Sequence, residues 1–516
     1  MNARLLYHMT RADFLERARR YSFLVTVAGA IYMGYLVNAG YVNLSVAGQR
    51  GVFNAAWVGT LTGMTLSLLL PLAGFYLVKN TVERDRATGV GEILAATPLS
   101  RAAYTLGKTA SNFLFLAVIV AILGVAGLAL QVTSGEGSRL DIGAFLTPFL
   151  LIGLPPVAVT AALAVLFETV RWLRGSLGNA IFFFLWLVLI PIGMETNTVD
   201  PVGISVVESS LKAHYAETFS PPPGKDIGSS FSVGPRDNTL KATFTWNGVE
   251  WTGERIANRL GYFGVAVGLA LLAALLFGRF DPAREGGRPA AMKEPAPGAA
   301  REGRRWRLPG AEWSPSSPFL TLVLAELKLM LRGRNRWWTI VAAGLLVAGI
   351  LTPLAGARAF VLPLAWIWPL ALWSGLGTRE SQFGTHQLVF AAPRPVAFHA
   401  LALWTSGVLV TAAAGSTVGL RLLLAGDSPG LLLWTAGCLF IPGMALALGT
   451  WTGSGKAFEV LYLLLWYIGP MNHIPGMDYI GTTPEAIAGG RPLLYLGITA
   501  ALLAASFAGR KRQATV

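Results

Sequence analysis

Charged residues placed between two long apolar runs are the first place to look for chemistry, because each resists burial in hydrocarbon. Residues 83–101 read Glu83-Arg84-Asp85-Arg86-Ala87-Thr88-Gly89-Val90-Gly91-Glu92-Ile93-Leu94-Ala95-Ala96-Thr97-Pro98-Leu99-Ser100-Arg101. Carboxylates and guanidiniums at both ends of a short amphipathic stretch suit charge-assisted hydrogen bonding to a polar groove on another protein. A generic polar loop between membrane helices has the same composition. A second, weaker copy follows at 379–395, in which Glu380, Gly384, Thr385, Ala392 and Pro393 can be placed. There the position of Glu92 is taken by Leu388 or Gln387, and Arg394 interrupts the end, so the two loops are expected to act unequally.

Other constellations carry less. Gly449-Thr450-Trp451-Thr452-Gly453-Ser454-Gly455-Lys456 resembles a phosphate loop, but a glycine is one position out and Ala457 replaces the hydroxyl residue that would hold Mg²⁺. It reads as a short loop between helices. The five histidines, His8, His214, His386, His399 and His473, form no close metal-ligand spacing. Cys438 is the sole cysteine, which excludes a disulfide within the chain. No catalytic constellation emerges, and no metal or cofactor site is expected in this chain.

The elements that position these loops are membrane helices. A hydrophobic fraction of 53%, 13% charged residues and a mean hydropathy of +0.54 exclude an ordinary soluble domain. Apolar stretches near the ~20 residues that cross ~30 Å of hydrocarbon recur along the chain. They predict an all-α polytopic membrane protein with about twelve spans, at 22–39, 55–78, 109–132, 142–167, 179–194, 260–278, 337–355, 359–377, 398–424, 430–450, 458–472 and 492–509. Arg4, Arg11, Arg17, Arg19 and Arg20 precede a first stretch of full span length, so an uncleaved anchor with cytoplasmic termini is expected. Most of the 41 Lys and Arg residues then fall inside, as the positive-inside bias requires. The net charge of +14 sits in short juxtamembrane clusters, for which anionic membrane lipid is a nearer partner than nucleic acid. The abundance of Ala, Gly, Pro and Arg hints at a bacterial source, hence the inner membrane.

Internal repetition gives the organisation. Residues 174–186 align without a gap on 454–466, both ending in tryptophan (Trp186, Trp466), and the loop at 83–98 aligns on 379–395. Both matches join the same span numbers, which predicts two parallel six-helix repeats: a first half at 1–278 and a second at 317–516. Residues 279–316, rich in Pro, Gly, Ala and Arg, read as a flexible cytoplasmic linker. Each half opens on a segment with helix-start chemistry, a capping box at Thr10…Asp13 and Ser317-Pro318. Residues 13–21 and 319–332 could then be interfacial helices or plain basic flanks. An extracytoplasmic insertion spans 195–259, and alternation over 239–251 around Asn247-Gly248 predicts a β-hairpin. Trp246 and Trp251 there are candidates for a ligand-facing pair, lid core or interfacial anchors.

The first loop, taken with the order of elements, resembles the cytoplasmic loop of ABC-2-type permeases, in which an acidic-basic pair, a Gly with Thr and a Pro-Leu-Ser-Arg ending recur. The order runs interfacial helix, two spans, loop, four spans, with an outer segment between the last two. Residue by residue, Glu83, Arg84, Thr88, Gly89, Glu92, Thr97, Pro98 and Arg101 match; Glu380, Gly384, Thr385 and Pro393 match in the second copy. The resemblance implies a coupling helix that docks on two copies of a separate cytoplasmic ATPase carrying ATP and Mg²⁺, and efflux of a hydrophobic or amphipathic substrate. It also implies that spans two and five face a central cavity, lined by Met64, Phe75, Phe182, Phe183 and Trp186, and by Tyr462 and Trp466 in the second half. Helix-packing or lipid-facing aromatics fit the same residues. A major-facilitator-like secondary transporter is the rival, because Asp85-Arg86-Ala87-Thr88-Gly89 imitates part of its signature, without the second basic pair.

Overall fold

The computed structural model describes residues 3–19, 21–39, 41–134, 141–195, 200–220, 227–233, 243–281, 317–332, 336–391, 395–488 and 490–515. The chain divides into two compact units, Met1–Met292 and Lys293–Val516. The linker expected at 279–316 lies outside the described residues beyond 281.

The first unit contains α1 (Ala3–Ala18), α2 (Tyr21–Asn38), β1 (Val42–Val46), β2 (Arg50–Gly51), α3 (Ala55–Val78), α4 (Thr81–Ala87), α5 (Val90–Ala96), α6 (Arg101–Ser134) and α7 (Ile142–Pro148). A π-helical turn, Phe149–Gly153, leads into α8 (Leu154–Thr169), followed by α9 (Ser176–Glu195), α10 (Ile204–Phe219), β3 (Ser229–Val233), β4 (Thr243–Phe244) and α11 (Gly253–Leu276). Helix α6 is the hub: α1, α2, α8 and α11 all pack on it. Small residues let α8 and α11 approach closely, with Ala158 and Ala162 against Ala266, as expected where packing rather than hydrophobicity drives association. The π-helical turn also has a sequence cause. Pro155 and Pro156 lack the N–H that would close an α or π hydrogen bond on the carbonyl of Leu151. That carbonyl is satisfied by Arg259 Nε of α11 at 2.8 Å.

The second unit contains α12 (Pro318–Leu331), α13 (Arg336–Leu351), α14 (Leu354–Gly356), a π-helical turn (Ala357–Val361), α15 (Leu362–Ile367), α16 (Leu370–Trp373), α17 (Arg379–Gln382), α18 (His386–Phe390), α19 (Pro395–Leu424), α20 (Ser428–Thr452), α21 (Gly455–Trp466), a π-helical turn (Tyr467–Met471), α22 (Pro484–Ala488) and α23 (Arg491–Thr515). Helices α12, α13, α20 and α23 pack on α19, and α20 packs on α23. Here Pro353 orphans the carbonyl of Gly349, and Arg421 donates to it at 2.6 Å.

Among the described residues nine helices are long and apolar enough to cross a membrane, which makes this a multi-pass, helical membrane protein. The other three expected spans fall on shorter apolar pieces: Val27–Val37 within α2, the 16-residue α13, and the 12-residue α21 with its π-helical turn. The expected eighth span is broken at Pro369, between α15 and α16.

Two local expectations are corrected. Among the described residues no hairpin forms about Asn247-Gly248. A two-residue type I′ turn needs positive φ at both residues, and only Gly248 has it, at 101°. Instead β4 pairs in parallel with β2, and β3 pairs antiparallel with β1, with Val42 opposite Val233. Trp246 is buried edge-on to Trp57 of α3 (5.9 Å between rings), and Asn54 donates to its carbonyl at 2.8 Å, so tertiary packing overrides the local turn signal. Trp246 is therefore lid core, while Trp251 is half-buried. The capping box at Thr10…Asp13 is not used, because α1 already begins at Ala3. Ser317, by contrast, caps α12 through the amide of Leu320, with Pro318 in the first turn.

Candidate functional site

The loop at 83–101 folds as two short helices rather than one. Gly89 separates them with φ +75°, a conformation that favours glycine. Helix α4 is anchored from its N-terminus by Glu168, the penultimate residue of α8, which is 1% exposed. Its carboxylate accepts from the amides of Asn80 (2.6 Å), Thr81 (3.0 Å), Val82 (2.6 Å) and Glu83 (3.0 Å). The otherwise unpaired amides of a first helical turn thus meet a full negative charge, at the end of the helix dipole that favours it.

A buried ion network extends the anchor sideways. Arg84 pairs with Asp13 (2.8 Å) and Glu16 (2.7 Å) of α1. Lys108 of α6 bridges Asp13 (2.8 Å) and Asp85 (2.7 Å), and Tyr104 donates to Asp85 at 2.8 Å. Arg17 of α1 donates to Asn112 (2.7 Å) and to the hydroxyl of Thr81 (2.8 Å). Burial lowers the Arg17 guanidinium to about 10, with Asp13 opposing the fall, so it remains charged at neutral pH. Breaking one member of such a network strands its partner, typically at a cost of about 3–5 kcal/mol.

The sequence-derived residues therefore separate into two roles. Arg84 faces the bundle and is consumed by it, and Glu83 pairs with Arg86 in the same helix. Thr88 hydrogen-bonds back to the Arg84 carbonyl, and Thr97 accepts from Arg279 through its own carbonyl. Arg101 is half-buried at the start of α6, while Thr88, Glu92 and Pro98 are exposed. Beside Glu92 lie two apolar side chains that the sequence reading passed over, Val90 and Ile93, the latter 69% exposed.

The second unit repeats this pattern with different residues. Arg379 of α17 pairs with Glu326 of α12 (3.3 Å), as Arg84 does with Asp13. Glu380 pairs with Arg510 of α23 (3.3 Å) and lies 3.6 Å from His399 of α19, which is 3.2 Å from Glu326. By its partners Glu380 is the counterpart of Asp85, two residues on from Glu83. Gly384, with φ +64°, separates α17 from α18, and Thr385 is half-buried at the start of α18. Phe383 and Leu388 are the outward apolar residues, at 77% and 78% exposure. Pro393 lies outside the described residues.

No family model matches the chain, and no curated protein or solved structure shows significant similarity to it.

The residues expected to line a cavity are buried, and several are engaged within their own unit. Phe75 of α3 stacks on Phe182 of α9 at 3.6 Å, and Trp186 donates to the Leu68 carbonyl at 3.0 Å. Met64 and Phe183 are likewise buried. In the second unit Tyr462 donates to the Trp366 carbonyl at 2.7 Å and Trp466 to that of Pro363 at 2.9 Å. These rings hold α3 to α9 in the first unit and α15 to α21 in the second. The aligned tryptophans Trp186 and Trp466 each donate to a backbone carbonyl of their own unit.

At the opposite end of each unit lies a feature that sequence reading missed. Asp200 accepts from the amides of Gly203 (2.7 Å) and Ser205 (2.8 Å), and Asp478 accepts from those of Gly481 (2.8 Å) and Thr482 (2.7 Å). Gly203 and Gly481 both have positive φ, and an arginine braces each turn: Arg259 on Pro201 at 3.0 Å, Arg358 on Gly481 at 2.5 Å. The shared signal is Asp-x-x-Gly-x-Ser/Thr, at 200–205 and 478–483.

Proposed function

We propose that this chain is the membrane-spanning permease of an ABC-2-type transporter, made of two six-helix repeats fused in one polypeptide and driven by two copies of a separate ATPase. The observation that supports it best is the two-sided build of α4–α5 and α17–α18. One side of each pair is bolted by buried charge to the amphipathic first helix and the bundle. The other presents apolar side chains, with Glu92 among them in the first unit. A subunit docking there would push on a rigid lever rather than on a loose loop, which is what mechanical coupling requires. Repetition of the Arg–acid pairs, the tryptophan bonds and the Asp-x-x-Gly turns supports duplication. In this reading the short helices and both termini face the bacterial cytoplasm, the insertion faces outward, and the cargo is hydrophobic or amphipathic.

The test is affinity purification of the tagged chain from its native membrane. A nucleotide-hydrolysing subunit should co-purify, and Ile93→Asp should weaken its binding at least about tenfold, the value of one buried apolar side chain. Undiminished association in Ile93→Asp and Leu388→Asp together would remove the docking surface from the account. Substrate-driven transport without any ATPase would favour the secondary-transporter alternative.

A further inference from the structure

The two clamps differ in the cation at their centre. In the first unit Lys108 bridges the acid of the amphipathic helix, Asp13, and the acid of the short helix, Asp85. In the second, His399 Nε2 takes the same bridging place between Glu326 (3.2 Å) and Glu380 (3.6 Å). Two carboxylate oxygens converging on Nε2 require its hydrogen there, so the proton that comes and goes is the one on Nδ1. That atom is buried and makes no hydrogen bond among the described residues, and neither do Glu380 Oε2 and Arg510 Nε. Among the described residues the remaining charges facing the imidazole are Arg379 of α17, on the far side of Glu326, and Arg510 of α23, on the far side of Glu380.

We infer that the hold on α17–α18 is proton-sensitive, tightening when His399 is charged and slackening when it is neutral, whereas the hold on α4–α5 is not. A lysine keeps its charge throughout the physiological range, and a histidine is the side chain whose charge ordinarily changes between pH 5 and 8. Protonated, His399 offers both carboxylates a full positive charge from the bridging place that Lys108 holds in the first unit. Neutral, it offers one N–H to two anions, and their mutual repulsion is opposed only from the flanks. Burial would raise the Glu380 carboxyl, but Arg510 and a backbone hydrogen bond, with a smaller contribution from His399, hold it below the usual carboxylate range. The inference concerns what holds the short helices, whatever docks on them.

Hydrogen exchange on the full chain in nanodiscs, without any ATPase, tests it apart from the proposed function. The reporters are the amides of Phe383, Thr385 and Val389, which bond within the α17–α18 segment. After correction for intrinsic rates, exchange there should be at least about tenfold slower near pH 5.5 than near pH 8.5, the effect of one charge-assisted contact. Exchange of α4–α5 should not follow. His399→Lys should remove the dependence and keep the slow rate, His399→Gln should keep the fast one, and His386→Gln should leave the wild-type profile. A flat wild-type profile over α17–α18, an equal change in α4–α5, or a dependence that survives His399→Lys would overturn the inference.

Discussion

Removing the Glu168 carboxylate should release the first unit's short helices without dismantling the bundle. In Glu168→Ala four amides, those of residues 80 to 83, lose an anionic acceptor that water reaches poorly. An ordinary N-cap is worth about 0.5–2 kcal/mol, and a buried donor left unpaired costs about 1–3 kcal/mol. These contributions overlap, so the combined local loss is about 2–5 kcal/mol, a roughly 30- to several-thousand-fold rise in the open population. Glu168→Gln keeps one acceptor oxygen but turns an NH₂ toward the remaining amides, so it should recover only part of the loss. Amide exchange resolved over residues 80–97, with α11 as internal reference, measures this directly. Unchanged protection of Thr81, Val82 and Glu83 in Glu168→Ala, with the bundle intact, would refute the view that this carboxylate anchors α4.

Phe75→Ala should lower the thermal midpoint of the detergent-solubilised protein through a loss of about 3–5 kcal/mol, since Phe75 is fully buried and stacked on Phe182. A negligible shift would mean that the ring lines open space. Asp200→Ala and Asp478→Ala should each expose their own turn to proteolysis, by about 1–3 kcal/mol of local stability, without affecting the other unit; coupled loosening in one mutant would contradict two separately built turns. For Glu380 the sign is set by a folded-state pKa below the ordinary value: burial raises it, but Arg510 and His399 prevail. Its contribution is complete above the unfolded carboxylate pKa, about 4.3, and is lost as pH falls through the lower folded value. Contact between α17 and α23, followed by cross-linking, should therefore persist at pH near 4.3 and fail only in stronger acid, and Glu380→Gln should abolish that acid transition.

What was legible in the sequence was whatever depends on local composition. Among the described residues nine of the twelve expected spans fall on helices long and apolar enough to cross a membrane, because apolar length is a property of the segment itself, and the loop at 83–101 stood out because its charges lie between two long apolar runs. The partners of that charge were not legible. Glu168 looked like a single acidic residue ending a helix, and only the fold brings it onto the amides of α4. Arg84 was assigned to a partner surface because exposure cannot be read from type, whereas three acids converge near it. The Asn247-Gly248 hairpin failed for the opposite reason, a strong local signal overruled by burial of Trp246 against Trp57. The paired Asp-x-x-Gly-x-Ser/Thr turns are written in the sequence at 200–205 and 478–483, but three matching positions in six residues are a faint signal beside the long apolar runs.

The proposal that one copy of this chain supplies both docking surfaces for a pair of ATPase subunits stands or falls on the stoichiometry of the complex, read by native mass measurement after extraction from its own membrane. One 54.9 kDa chain should be found bound to two ATPase subunits, and Ile93→Asp with Leu388→Asp should dissociate them. Two copies of the chain per ATPase pair, or an active transporter with no ATPase bound, would contradict it.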